Sequence, residues 1–272
     1  MASLRPPGWL VYPAAVLLLL AAATRHRDYA DAPPTPPPLP AREGEVLVQA
    51  SPLDLVATAR VRSGERVGAA FSVGDAGVWV TARDVAQRCA HPTILVNGRY
   101  GAPANVTAAP GGRMAVLTTP AGAPALPIAT SPLRDGEFAY AAGFPRGRPG
   151  EAALRLMARR SLYLRPRGAH GLPVLAWAEA GRTEGLAGRM TPGLVGAPAL
   201  DRTGAAVGVV LAESPRRGRL YTTTPEALSE ALASAKVAPA PAAAGFPLAP
   251  GDYGLAADDL RRSLRIAAVA CG

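Results

Sequence analysis

Covalent catalysis needs a hydroxyl or thiol made reactive by a neighbouring base, and general acid–base chemistry needs a group that titrates near neutral pH. The sequence offers three histidines, and none stands in a setting that supplies either. His26 adjoins an apolar run, His91 follows Cys89 in an expected loop, and His170 sits in the Gly-rich turn Arg167-Gly-Ala-His-Gly-Leu-Pro173. Ser72, Ser131 and Ser214 lack a nucleophile-elbow or Ser-x-x-Lys context. Cys89 and Cys271 belong to no Cys-x-x-Cys pair or His/Cys cluster, so neither a metal site nor a cofactor is expected. Three other residues have more telling surroundings: Asp84 in Thr-Ala-Arg-Asp-Val, Arg113 in Arg-Met-Ala-Val-Leu, and Val195 in Thr-Pro-Gly-Leu-Val-Gly-Ala-Pro. A carboxylate and a guanidinium can pair; a valine has no atom that can react.

The elements around these residues read as strands. Val56-Ala-Thr-Ala-Arg-Val, Val78-Trp-Val-Thr and Ala206-Val-Gly-Val-Val-Leu fit half-buried or fully buried strands with turn signals between them. Short helices are expected near Ala82–Cys89 and Pro225–Ser234. A chain of 272 residues accommodates one large all-β body plus appendages. Aromatic residues are few, so Val, Leu and Ala must fill its core.

Five segments together carry a family resemblance. Val67-Gly-Ala-Ala-Phe-Ser-Val-Gly-Asp-Ala-Gly-Val-Trp-Val-Thr-Ala-Arg-Asp-Val85 resembles the two strands leading into Thr-Ala-x-His-Val in trypsin-like and HtrA-like serine proteases, with Asp84 at the position of the general base. Arg113-Met-Ala-Val-Leu117 resembles their Asp-x-Ala-x-Leu strand, with Arg113 at the position of the orienting carboxylate. Thr191-Pro-Gly-Leu-Val-Gly-Ala-Pro-Ala-Leu-Asp201, followed by the strand Gly204–Val210, resembles their nucleophile loop, with Val195 at the position of the serine. Asp135–Pro145 and Tyr221-Thr-Thr-Thr-Pro-Glu-Ala-Leu resemble the family's intervening turn and its last strand running into a C-terminal helix. The resemblance spans roughly residues 55 to 235 and implies an all-β, chymotrypsin-like double β-barrel, mainly antiparallel, with short helices and an N-terminal apolar helix.

It also implies a degenerate catalytic triad. Val195 lacks a nucleophile, Arg113 cannot accept a proton, and an ordinary carboxylate at Asp84 is about three units too acidic to be an efficient base at neutral pH. No catalytic residue is expected. Asp84 and Arg113 are expected to lie within contact distance as a bidentate pair bridging the two barrels. Gly193 and Gly196 read as a remnant of the oxyanion loop. Arg189 and Leu194 are candidates for lining the former substrate cleft, where Arg189 would favour an acidic group.

The flanks set the cellular context. Residues 9–24 form an uncharged apolar run between Arg5 and the Arg25-His-Arg27 cluster, read as a signal peptide or a membrane anchor within residues 1–24. Residues 25–44 contain Ala32-Pro-Pro-Thr-Pro-Pro-Pro-Leu-Pro40, an extended spacer by virtue of proline's fixed φ and missing N–H. The barrel domain is assigned to residues 45–236. Residues 237–272 are assigned to a Pro/Ala-rich linker with a short helix, Ala256 to Ser263, and a short strand, Leu264 to Ala270, and the PDZ module that often follows HtrA-like protease domains is not expected. In an exported chain a disulfide between Cys89 and Cys271 is the simplest use of the two; free thiols, or a Cys271 that is acylated or paired with another chain, are the alternatives.

The net charge of +9 would suit an anionic partner, but the basic residues, all arginine except Lys236, are scattered without a nucleic-acid motif, and no nucleic-acid partner is expected. The leading functional reading is a pseudoprotease of the cell envelope, on the periplasmic side of the inner membrane or secreted, that binds a peptide or envelope protein in the former cleft. The alternatives are a serine endopeptidase acting through other residues, or a basic envelope scaffold.

Overall fold

The computed structural model describes residues 59–60, 66–87, 89–96, 100–108, 113–162, 172–182, 194–214, 218–238, 246–249 and 251–271. The apolar run, the proline-rich spacer, His26, His170, Arg189 and Gly193 lie outside them. Among the described residues no helix is long and apolar enough to cross a membrane.

The chain is mostly β, in two barrel-like sheets whose named strand pairs are all antiparallel. The first sheet is built from β1 (Ala59–Arg60), β2 (Arg66–Gly74), β3 (Val78–Ala82), β4 (Pro92–Leu95), β5 (Tyr100–Pro103), β6 (Asn105–Ala108), β7 (Met114–Thr118) and β14 (Ile266–Cys271). Its order is β1-β5-β4-β14-β2-β3-β7-β6. The second is a closed six-stranded barrel of β8 (Phe138–Gly143), β9 (Gly150–Leu162), β10 (Leu172–Arg182), β11 (Pro198–Leu200), β12 (Ala206–Ser214) and β13 (Arg219–Thr222), ordered β10-β13-β12-β11-β8-β9. This is the expected chymotrypsin-like double barrel.

Local chemistry explains the elements. The β2–β3 hairpin turns at Gly77, whose φ of +80° and contact with the Thr119 carbonyl exclude a side chain. β3 is buried nearly throughout, with Trp79, Val80 and Thr81 all 0 % exposed, so its residues do not alternate between core and water. The indole N–H of Trp79 donates to Thr119 Oγ1 at 3.1 Å, satisfying the polar tip of a buried aromatic. Helix α1 (Arg83–Gln87) follows β3 directly. Helix α2 (Pro225–Ser234) begins with Pro225 in its first turn, and the Thr224 side chain accepts from the Ala227 N–H at 3.2 Å; Leu228, Ala231 and Leu232 form its buried stripe.

The C-terminal segment departs from expectation. Helix α3 (Tyr253–Arg262) and β14 fall close to the anticipated helix and strand, but β14 is no appendage. It pairs with β2 on one side and β4 on the other, so residues 266–271 belong inside the barrel domain rather than beyond a boundary at residue 236. Five of the six residues of β14 are buried, and a short apolar strand with both backbone edges paired is more stable there than on the surface. Cys271 at its end is bonded to Cys89, as expected from the sequence.

Helix α3 lies against the second barrel. Tyr253 stacks on Tyr140 of β8 with centroids 5.2 Å apart. Arg261, whose side chain is 7 % exposed, pairs with buried Glu151 of β9 and, at 2.7 Å, with Asp258. It also donates to the carbonyls of Gly143 and Gly150 at 3.1 and 3.2 Å. The C-terminal segment therefore grips the second barrel with its helix and completes the first with its strand.

Candidate functional site

The β3–β7 register pairs Ala82 with Met114, so the residues just beyond that pair emerge side by side. The Arg83 N–H donates to the Arg113 carbonyl at 2.6 Å, extending the ladder by one bond. Asp84, on α1, is thereby held opposite Arg113, with Arg113 Nη1 3.8 Å from Asp84 Oδ1. The contact expected from the sequence is present, with two corrections. Both residues hang from neighbouring strands of the first sheet, so the pair is internal to that barrel and does not bridge to the second. It is also a single long contact, not a two-pronged one. With side chains 21 % and 34 % exposed, such a pair contributes on the order of 0.2–1 kcal/mol.

The second barrel presents Val195 in the loop before β11. Three backbone bonds shape this loop: Ala197 N–H to Leu194 O (3.0 Å), Gly196 N–H to Val210 O (2.8 Å) and Val210 N–H to Ala197 O (2.9 Å). Gly196 has φ +88°, and a Cβ there would collide with the Ala69 carbonyl and Thr81 Oγ1, so only glycine fits. Its N–H is committed to Val210, so Gly196 shapes the loop and has no free donor for an oxyanion.

The barrels meet at this loop. The Ala69 N–H of β2 donates to the Val195 carbonyl at 3.0 Å, and Thr81 Oγ1 donates to the Ala69 carbonyl at 2.6 Å. A Cβ on Gly68 would strike Val85 Cγ2 and come within 2.7 Å of the Val195 carbonyl. Gly68 thus marks a point where β2, the residue after Asp84 and the Val195 backbone converge. Sequence reading did not single out Gly68, Ala69 or Thr81. Gly68 and Ala69 showed only as part of the small-residue run of the first block, and Thr81 only as the first residue of its Thr-Ala-Arg-Asp-Val motif.

Leu194 is not where the cleft reading put it. It is 1 % exposed and packs in the second barrel's core with Leu154, Trp177 and Val210, so it has no surface to offer a ligand. Val195 is half-buried against the other core cluster. Ser72 is fully buried and donates to the Ala123 carbonyl at 2.8 Å, Ser131 is exposed, and Ser214 is half-buried on β12. His91 is exposed beyond α1, and among the described residues no serine is hydrogen-bonded to a histidine.

The model of the trypsin-like peptidase domain matches residues 68–209, more than half of the chain. The chain belongs to the trypsin-like peptidase family. Solved structures of the same fold include the Rv3671c protease in an inactive form, 19 % identical with a TM-score of 0.51 over 61 % of this chain and 82 % of that one. The active form of Rv3671c from M. tuberculosis is 16 % identical, with a TM-score of 0.50 over 74 % of this chain and 99 % of that one. The HtrA-type protease AlgW, solved with a decapeptide, is 18 % identical with a TM-score of 0.50 over 62 % of this chain and 52 % of that one. At these identities the likeness is one of fold. No curated protein matches the chain. Val85, the residue after Asp84, and the Val195 carbonyl both approach Gly68, so the first barrel's α1 and the second barrel's loop come together there.

Proposed function

We propose that this family member is a pseudoprotease, holding an extended segment of a partner protein at the seam between its barrels without cutting it. The observation that carries the reading is the Asp84–Arg113 ion pair, with Asp84 next in sequence to Val85, which meets the Val195 backbone at Gly68. Acyl transfer needs a nucleophilic hydroxyl and a base poised near neutral pH. A guanidinium-paired carboxylate and a valine provide neither. Capture of a strand by backbone hydrogen bonds needs no triad, and β-addition is the physically natural mode for a sheet-built cleft. The partner is a peptide or envelope protein. Export, by the apolar run 9–24 as signal or anchor, accords with the Cys89–Cys271 disulfide, since such bonds persist in oxidising compartments.

The test is to incubate the purified chain with a diverse peptide mixture and read cleavage by mass spectrometry, beside an Asp84→Ala/His170→Ala double variant. The expected result is no cleavage above background in either sample. Cleavage that disappears in the double variant would establish an enzyme and end the proposal. The triple variant Asp84→His/Arg113→Asp/Val195→Ser adds a positive arm, because a seam that retains the family geometry should gain measurable hydrolysis.

A further inference from the structure

The second barrel ends in a mouth lined by three ionisable side chains outside the seam. Glu213 of β12 is paired with Leu220 of β13, which is paired in turn with Trp177 of β10. Directly opposed residues share a face of a sheet. Leu220 and Trp177 are fully buried in the barrel core, so Glu213 points inward beside them. Glu179 lies two residues beyond Trp177 on the same face, and Arg182 donates through Nε to its carboxylate. Glu213 has no such donor: its Oε1 is shut off from water and makes no hydrogen bond. Two carboxyl groups therefore face one guanidinium that is already engaged.

A half-buried carboxylate with one oxygen cut off from water and undonated is less favourable than the neutral acid, which needs no counter-ion. Burial is accordingly the main reason the Glu213 carboxyl is pushed up to about 8; Arg182 opposes the shift and Glu179 reinforces it. Among the described residues the other elements at this end add no inward charge. β13 contributes Leu220, with Arg219 on the opposite face, and β9 contributes Leu154 and Leu156, with Arg155 exposed. The position of Glu213 also has a mechanical consequence. It lies on the strand whose Val210 exchanges backbone bonds with Gly196 and Ala197 of the Val195 loop.

We propose that Glu213, Glu179 and Arg182 form a proton-operated latch: with Glu213 neutral the β12–β13 end stays closed, and on losing its proton the carboxylate swings out to water and frees the strand that pins the Val195 loop. The sign follows from linkage. The folded chain keeps a proton that the unfolded chain releases, because its carboxyl titrates above the ordinary 4.5. This contribution to stability is fully present below the unfolded value and declines as pH rises from there to about 8, levelling off above it.

The experiment uses the full chain. Carbon-13 NMR of glutamate side-chain carboxyls should show one resonance titrating near 8 that vanishes in Glu213→Gln. Hydrogen exchange at the Glu179 and Leu220 amides, corrected for intrinsic rate, should accelerate about tenfold or more between about pH 6 and pH 9, and stay flat in Glu213→Gln, whose amide mimics the neutral acid. A Glu213 carboxyl that titrates at its ordinary value in the unmodified chain, or an acceleration that persists in Glu213→Gln, overturns the latch. The NMR titration needs no variant, so it decides the matter even if Glu213→Gln does not fold.

Discussion

The two barrels solve the same packing problem with different degrees of self-sufficiency. Each buries one tryptophan whose indole N–H donates to a threonine hydroxyl, Trp79 to Thr119 in the first and Trp177 to Thr222 in the second. The second barrel is closed and draws its six strands from one continuous stretch, β8 to β13. The first has the order of an open sheet and takes a central strand, β14, from the far end of the chain. One barrel is locally complete; the other depends on a strand nearly two hundred residues away in sequence, which the disulfide with a separation of 182 holds in place. The lesson concerns the seam. Asp84 and Arg113 sit on the dependent barrel and Val195 on the complete one, so whatever weakens the C-terminal segment acts directly on two of the three positions and reaches the third only through the Ala69 bond to the Val195 carbonyl.

The sharpest way to break this comparison is to remove β14. A chain ending after Arg265 leaves β2 and β4 with unpaired edges and exposes Phe71, Ile94 and their neighbours. The expected outcome is loss of the first barrel's amide protection while the β9–β13 amides remain protected, read by hydrogen exchange. Uniform loss would show that the second barrel is not independent. A smaller effect comes from Arg261→Ala, which takes the guanidinium from the buried Glu151 carboxylate and weakens the tie between α3 and the second barrel. Unfolding in denaturant should show a loss of about 3–5 kcal/mol, and Glu151→Ala should cost a similar amount. Within the complete barrel, Leu194→Ala should cost about 2–5 kcal/mol as a core cavity, with no change in the first barrel's exchange pattern. The smallest effect belongs to the pair that occupies the seam. A double-mutant cycle of Asp84→Ala and Arg113→Ala should give a coupling of no more than about 1 kcal/mol, falling with added salt; a larger value would mean that the pair anchors the barrel and does more than fill a vacated site.

What the sequence revealed follows the range of the interactions involved. The helix beginning at Pro225 and the apolar strands β3 and β12 were legible because turn signals and side-chain pattern are local. Ile266-Ala-Ala-Val-Ala-Cys271 was legible as a strand, but nothing in six residues names its neighbours, and its insertion between β2 and β4 is a tertiary event. Asp84 and Arg113 were rightly expected to meet, yet their pairing was read across the seam because position in a family pattern does not say which sheet each residue hangs from. Leu194 was assigned to the cleft from its place beside Val195, whereas the Ala197-to-Leu194 turn rolls its side chain into the core. Glu213 gave no sequence signal, since a lone acid near the end of an apolar strand looks like a surface residue until the register with Leu220 and Trp177 is known.

The place of β14 also fixes an order of events during synthesis. A barrel whose middle strand is translated after every strand of its neighbour cannot close before that strand emerges, although the barrel made from β8 to β13 can. The first barrel must wait, with β2 and β4 unpaired along the edges that β14 will occupy, until residues 266–271 arrive. Only then can Cys271 reach Cys89. The completed seam thus reports that synthesis has passed Cys271, since a product ending before Ile266 would lack the strand that pairs with β2 and β4.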